Sequence, residues 1–354
     1  MSEKNTRATN PFTLTFGRKP QSYIFRYEDT EEVISSFMME PPTYQVYLIS
    51  GVRGSGKTVL MTAISKELEE QEWITVDINP NKDLLEEFAE RLSDACHRLP
   101  NLMEKGFNVS VAGVGIGIGA SNEKRDAVSR IEELLDILVK KNKKVLITLD
   151  EVRNDDNMRI FASQFQALIR KDYPICMIMT GLYENIYAIQ NDPALTFLLR
   201  APKTFLKPLS IREIMASYKS IFEIDMDEAR QMAALTKGYA FAYQALGYLM
   251  WKHKDKMEFD EILFKFDTIL FESVYQKIWE SLSDKDREVM IALSHKGEVK
   301  VSEFMDFIGM NVGNFSRYRD RLKNKGLIIS QRRGTMEMAL PRFDEFIDEV
   351  EFNR

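Results

Sequence analysis

The segment Gly51-Val52-Arg53-Gly54-Ser55-Gly56-Lys57-Thr58 constrains this chain more than any other. Its spacing is GxxxxGK[ST]. Glycines at those places let backbone N–H groups turn inward around an anion, and a helix starting near Gly56 points its positive end at the same spot. The flanks agree with this reading. Tyr44 to Ser50 is a short β-rich run that ends at a glycine, as a buried strand does. Thr58 to Gln71 carries Leu60, Ile64 and Leu68 at four-residue spacing, as a helix does. Strand, glycine-rich loop and helix make a phosphate-binding loop, so Gly51, Val52, Arg53, Gly54, Ser55, Gly56, Lys57 and Thr58 are nucleotide-binding candidates. Lys57 supplies a point charge for the β- and γ-phosphates, and the Thr58 hydroxyl is placed to ligate Mg²⁺.

The run Val145-Leu146-Ile147-Thr148-Leu149 is a second buried strand, and it delivers Asp150 and Glu151 to the carboxyl edge of the sheet, where open α/β folds bind ligands. Asp150 is the expected second holder of Mg²⁺. Glu151 is the expected general base that polarises an attacking water. A further strand, Ile175 to Thr180, ends on Thr180, a polar residue able to orient water or sense the γ-phosphate. Arg200 closes the run Leu195 to Arg200 and is a candidate to stabilise transition-state charge from a neighbouring subunit. Trp73 to Ile78 reads as another strand, and helical patterns separate all four. Such alternation predicts a parallel α/β sheet.

The glycine-rich segment Asn108 to Ala120 alternates glycine with Val and Ile at period two, so it reads as a strand or hairpin and not as a dinucleotide-binding fingerprint. At 44% apolar and 29% charged residues over 354 positions, the chain reads as a soluble globular protein of two or three domains. No run approaches a membrane span, the first residues lack a secretory signal, and the two cysteines are far apart; the expected location is the cytoplasm, with no membrane partner.

Charge singles out the C-terminal end. The chain carries −6, but Asn311 to Arg333 holds seven Arg and Lys residues against Asp320 alone, a local +6 that leaves −12 for the rest. This basic stretch lies in a recognisable pattern. Leu282 to Leu293 predicts one helix, Val301 to Ile308 a second capped by Ser302, and Asn311 to Asn324 a third that ends at Gly326. Leu327 to Gln331 and Thr335 to Leu340 predict two strands joined by the turn Arg332-Arg333-Gly334. This is the pattern of a winged helix. Asn314, Arg317, Arg319, Arg321 and Lys323 on the third helix, with Arg332 and Arg333 at the wing tip, are the candidates for binding double-stranded DNA.

The order GVRGSGKT, VLITLDE, MIMTG, then an arginine ahead of Phe205-Leu206-Lys207-Pro208-Leu209-Ser210 resembles the AAA+/STAND ATPases, and within them the archaeal-type ATPases and origin-recognition-like initiators. The resemblance spans about residues 10–345. It implies an α/β P-loop core of AAA+ type with a parallel sheet, followed by a helical lid domain and a C-terminal winged-helix domain. The expected divisions are an N-terminal strap over the core at 1–30, the core at 31–209, the lid at 210–280 and the winged helix at 281–354. It implies binding of ATP and ADP, slow Mg²⁺-dependent hydrolysis, and homo-oligomer formation through Arg200. The family's lid carries a Gly-x-Pro sensor; Lys237-Gly238-Tyr239-Ala240 stands at the matching place without the proline. The rival expectations are a nucleotide-controlled signalling or defence scaffold that uses its winged helix for protein contacts, and a module that binds nucleotide without turning it over.

Overall fold

A computed structural model describes residues 9–15, 17, 19–98, 126–254, 256–330 and 332–353. The hairpin expected at 108–120 lies outside them. The chain forms two compact units, one of residues 1–27, 51–59 and 205–354, the other of 28–50 and 60–204.

The second unit is an α/β layer. Its elements are helix α1 (Tyr27–Met38), strand β1 (Val46–Ser50), α2 (Lys57–Glu70), β2 (Ile74–Ile78), α3 (Leu84–His97), α4 (Ala127–Lys140), β3 (Val145–Leu149), α5 (Asp156–Arg170), β4 (Ile175–Gly181), α6 (Tyr183–Gln190), a 3-10 turn at Pro193–Arg200 and the short β5 (Lys203–Phe205). The strand order is β2-β3-β4-β1-β5, and β2, β3, β4 and β1 run parallel. Every residue of β1, β3 and β4 is buried, which is why these strands read as unbroken apolar runs. Register fixes the functional edge: Leu149 lies opposite Met179, and Ser50 opposite Gly181. Asp150 therefore emerges from the sheet beside Thr180.

The first unit is mostly helical. It holds α7 (Ile211–Phe222), α8 (Met226–Leu235), α9 (Ala240–His253) and α10 (Phe259–Leu270), which continues through a π-helical turn (Phe271–Tyr275) into α11 (Gln276–Glu280). Then come α12 (Asp284–Ser294), β6 (Val299–Lys300), α13 (Val301–Ile308), α14 (Val312–Asn324), β7 (Ile328–Ile329), β8 (Thr335–Met338) and α15 (Phe343–Phe352). The three short strands form an antiparallel sheet in the order β6-β8-β7. One apolar cluster joins these pieces, from Phe12 to Ile347. Tyr275, in the π-turn, packs edge-on against Phe343 of α15 with centroids 4.9 Å apart, and its hydroxyl donates to the Pro341 carbonyl. Arg342 adds an ion pair to Asp267 of α10.

Three expectations are corrected. The N-terminal strap packs on the helices of this unit as well as on the phosphate loop: buried Phe12 stacks on Phe222 of α7 at 5.7 Å and meets Tyr243 of α9 edge-on, while Arg26 donates to the Ser55 carbonyl. Ser302 does not cap α13, whose cap residue is Lys300 with no side-chain cap bond. The α12 helix starts at Asp284 because Ser283 and Asp286 form a reciprocal capping box there.

Candidate functional site

The phosphate loop leaves the end of β1 and enters α2. Its sharp reversal is carried by Gly54, at φ 78°, where a Cβ would stand 2.3 Å from the Tyr239 hydroxyl oxygen; only glycine fits both the left-handed backbone and that approach. Tyr239, the cap residue of α9, donates its hydroxyl to the Arg53 carbonyl at 2.6 Å, and the Phe241 N–H donates to the Gly54 carbonyl at 3.1 Å. Burial pushes the Tyr239 phenol far above its ordinary pKa, so it is a permanent donor. The stretch Lys237 to Ala240, which stands at the family's sensor place without its proline, thus supplies a clamp on the loop apex. On the other flank, the Arg26 guanidinium donates to the Lys207 carbonyl at 2.8 Å and the Ser55 carbonyl at 3.1 Å. Neither Tyr239 nor Arg26 was singled out from the sequence. Their partners stand 186 and 29 or more positions away, and no local pattern marks such pairings.

Lys57, nearly buried, opens α2, and its ammonium donates to the carbonyls of Gly51 at 3.0 Å and Val52 at 3.1 Å. The lysine is thereby held over its own loop, the place from which it would reach an anion cradled there. Thr58 follows in the first turn, half-buried. Gly56 and Arg53 are also half-buried, and Ser55 is buried at 5% exposure. Ser55 Oγ has no hydrogen-bond partner among the described residues.

The second unit carries the carboxylates. Asp150 Oδ1 accepts from the Thr180 hydroxyl and, at 3.0 Å, from the Glu151 N–H. The Val152 N–H donates to the Thr180 carbonyl at 2.9 Å. These bonds hold Glu151 in the left-handed region, at φ 55°, with its carboxylate exposed. A non-glycine residue there costs on the order of 1 kcal/mol, which the three bonds offset. Thr180 is fully buried, and its hydroxyl is committed to Asp150. It positions that carboxylate, a role the sequence did not suggest. Arg200 is exposed at the end of the 3-10 turn, beside the exposed Leu199.

Among the basic candidates of the C-terminal module, Arg317, Lys323, Arg332 and Arg333 are exposed, as is Asn314. Asn314's own N–H is taken by the Asn311 side chain. Arg319 pairs with its neighbour Asp320. Arg321 is turned inward: it pairs with nearly buried Asp286, donates to Ser283 Oγ, and lies over the Tyr318 ring. Its charge is used to close α14 onto α12. Lys323 lines a cavity of about 440 Å³, together with Asn324, Ile329, Val52, Ser55 and Phe205.

Residues 272–347 match a family model described as a domain of unknown function, DUF8462. No curated protein matches the chain. Among solved structures, the Walker-type ATPase PABY2304 of Pyrococcus abyssi aligns with a TM-score of 0.64 at 14% identity, covering 92% of this chain and 96% of that one. The ORC2 protein of Aeropyrum pernix, in its ADPNP–ADP complexes, aligns at 0.58 with 16% identity, covering 96% and 98%. Cdc6p of Pyrobaculum aerophilum aligns at 0.51 with 12% identity, covering 96% and 97%. The chain shares the fold of these three archaeal proteins over nearly its whole length. No helix among the described residues is long and apolar enough to cross a membrane.

Proposed function

We propose that the chain is an ATP-binding switch that hydrolyses ATP slowly, and that its C-terminal module is a winged helix that binds duplex DNA. The observation that carries the first part is the loop of residues 51–58, with Lys57 poised over two of its own carbonyls at the start of α2. The ORC2 structure of the same fold, in complex with ADPNP and ADP, supports the choice of nucleotide. Backbone N–H groups of the loop would take the phosphates, and Lys57 would exchange its carbonyl partners for β- and γ-oxygens. Thr58 and Asp150 suit Mg²⁺, which takes one or two protein oxygens and leaves the rest of its shell to phosphate and water. When bound, the ion supplies charge neutralisation. Asp150, gripped by Thr180 and the Glu151 N–H, is a pre-oriented oxygen donor. Glu151 would take the proton of the attacking water. Arg200, exposed, would serve a neighbouring copy.

For DNA, the supporting observation is the exposed set Asn314, Arg317, Lys323, Arg332 and Arg333 within a region of local charge +6 in an acidic chain. Arg319 stands beside them with its charge shared with Asp320. The scaffold reading draws support from Arg321, which pairs with nearly buried Asp286 and leaves one cation fewer for phosphate.

Titration of duplex DNA with and without ATP over a salt series separates the two. Measurable affinity at low salt, falling steeply as salt rises, is the expected result. No affinity at low salt sinks the DNA reading in favour of the scaffold. Loss of ATP binding in Lys57→Ala is expected alongside; undiminished binding would remove the loop from the site.

A further inference from the structure

Every backbone carbonyl from Gly51 to Ser55 accepts a hydrogen bond. Lys57 Nζ serves Gly51 at 3.0 Å and Val52 at 3.1 Å, and the Ser55 N–H closes a turn onto Val52 at 3.1 Å. The other donors come from far along the chain. The Tyr239 hydroxyl donates to the Arg53 carbonyl at 2.6 Å, the Phe241 N–H to the Gly54 carbonyl at 3.1 Å, and the Arg26 guanidinium to the Ser55 carbonyl at 3.1 Å.

Holding a carbonyl also aims an N–H. In a trans peptide the C=O and the following N–H point in opposite directions. Tyr239, by holding the Arg53 carbonyl, turns the Gly54 N–H away from itself. Arg26, by holding the Ser55 carbonyl, does the same for the Gly56 N–H. These two peptides are the ones most in need of holding. Each ends on a glycine of positive φ, Gly54 at 78° and Gly56 at 94°, and glycine lets a peptide plane turn over at little steric cost. A turned peptide presents a carbonyl oxygen where an N–H stood, and an anion that the N–H attracts is repelled by the oxygen. Both holders are themselves fixed. Tyr239 is buried at the start of α9, and the second arm of the Arg26 fork donates to the Lys207 carbonyl at 2.8 Å.

We propose that Tyr239 and Arg26 are positioning residues for anion binding: they latch the 53–54 and 55–56 peptides in the orientation in which the Gly54 and Gly56 N–H groups receive phosphate oxygens. This rests on the phosphate-loop reading above. One latch sits on α9 and the other on the N-terminal strap, so the loop is competent only while both pieces stay packed on it. Apparent affinity scales with the competent fraction, so an unlatched loop that keeps a peptide turned for about nine-tenths of the time binds about tenfold more weakly.

The experiment is calorimetric titration of the full chain with tripolyphosphate and, separately, ADP. Tyr239→Phe removes one oxygen and keeps the ring; it should weaken both ligands by the same factor, about tenfold. Arg26→Gln should do likewise, and its loss should persist from low to high salt, because salt screens the long-range pull of a charge and not the orientation of a peptide. Urea denaturation fixes conditions in which each variant is folded. Unchanged tripolyphosphate affinity in folded Tyr239→Phe means that its bond serves stability alone, and overturns the proposal. An Arg26→Gln loss that vanishes at high salt overturns the part of Arg26. On the unmutated chain, hydrogen exchange read by NMR should slow at the Gly54 and Gly56 amides when tripolyphosphate binds; unchanged exchange at both overturns the proposal without any variant. Lys57→Ala distinguishes the two levels. Loss of both ligands in Lys57→Ala, with parent-like binding by Tyr239→Phe and Arg26→Gln, leaves the phosphate loop standing and removes only the latches. Parent-like binding of both ligands by Lys57→Ala overturns both readings.

Discussion

Gly326 lies against Val52: a Cβ on the glycine that follows α14 would stand in van der Waals contact, 3.4 Å from Val52 Cβ and 3.4 Å from the Phe205 ring. Its φ of 76° is one that L side chains adopt only at a cost. Gly326→Ala should destabilise the chain by about 1 kcal/mol through the backbone alone. Gly326→Val should cost more, because a branched side chain meets Val52 and Phe205. Gly326→Asn, which tolerates the left-handed region, should lie closest to the parent. Urea denaturation of the three variants checks the order.

Tyr239 and Arg53 form the second tie on the loop. Tyr239→Phe keeps the ring and removes the donor to the Arg53 carbonyl, so stability should fall by about 1 kcal/mol. Gly54→Ala should be worse, because the added Cβ falls 2.3 Å from the Tyr239 oxygen. In the double variant Gly54→Ala/Tyr239→Phe the two losses should not add, since they share one contact. Additive losses in denaturant would show that the two residues act separately.

The carboxylate cluster predicts a division between binding and turnover. Thr180→Val removes the hydroxyl that holds Asp150 without changing side-chain volume. On the proposed role of Asp150, hydrolysis should slow about tenfold while ATP affinity stays nearly constant. Glu151→Gln should also bind ATP, and it should hydrolyse it far more slowly. Single-turnover assays with radiolabelled ATP measure both steps. Parent-like turnover in Glu151→Gln would remove its role as base.

The basic residues should separate by environment. Arg321→Ala strands nearly buried Asp286 without its partner and should cost about 2 kcal/mol, less than a fully buried pair because Arg321 is itself partly exposed. Arg317→Ala with Arg332→Ala should leave stability almost unchanged, weaken DNA binding, and reduce the slope of log K against log salt by about 2. Thermal melts and DNA titrations on the same preparations test the contrast.

Burial pushes the Cys176 thiol up to about 12 and the Cys96 thiol up to about 11. Unfolded thiols ionise from about pH 9, so the native state holds these protons over a range where the unfolded state has lost them. Their contribution to stability is therefore complete below pH 9 and is lost as pH rises toward 11–12. At pH 8 both should resist iodoacetamide in the folded chain and react rapidly in denaturant, as peptide mass spectrometry would show.

Much of this was legible in the sequence for a physical reason. Parallel strands buried on both faces must be apolar throughout, and 46–50, 145–149 and 175–181 show it directly. Asp150 and Thr180 were legible as strand ends, and parallel register brings them together. The bond that turns Thr180 from a water-facing residue into a holder of Asp150 was not, because it depends on a side-chain rotamer. Strand β6 is two residues long and exists only because it pairs with β8, so no periodicity announces it. Helix α15 was not read, although Phe343, Phe346, Ile347 and Val350 follow helical spacing and three of the four are buried. The pairing of Arg321 with Asp286 was not legible, because a charge on a helix reads the same whether it meets solvent or a buried aspartate on another helix.

The chain crosses between its two units four times, after residues 27, 50, 59 and 204, and the third of those segments is the nine-residue stretch that contains the phosphate loop. Neither unit is a continuous length of polypeptide. Recombination that exchanges contiguous gene segments cannot transplant either one whole without carrying the loop's attachments into a foreign setting. The C-terminal module can diverge residue by residue, but the loop, its clamp at Tyr239 and its neighbour Gly326 have to be inherited as a set.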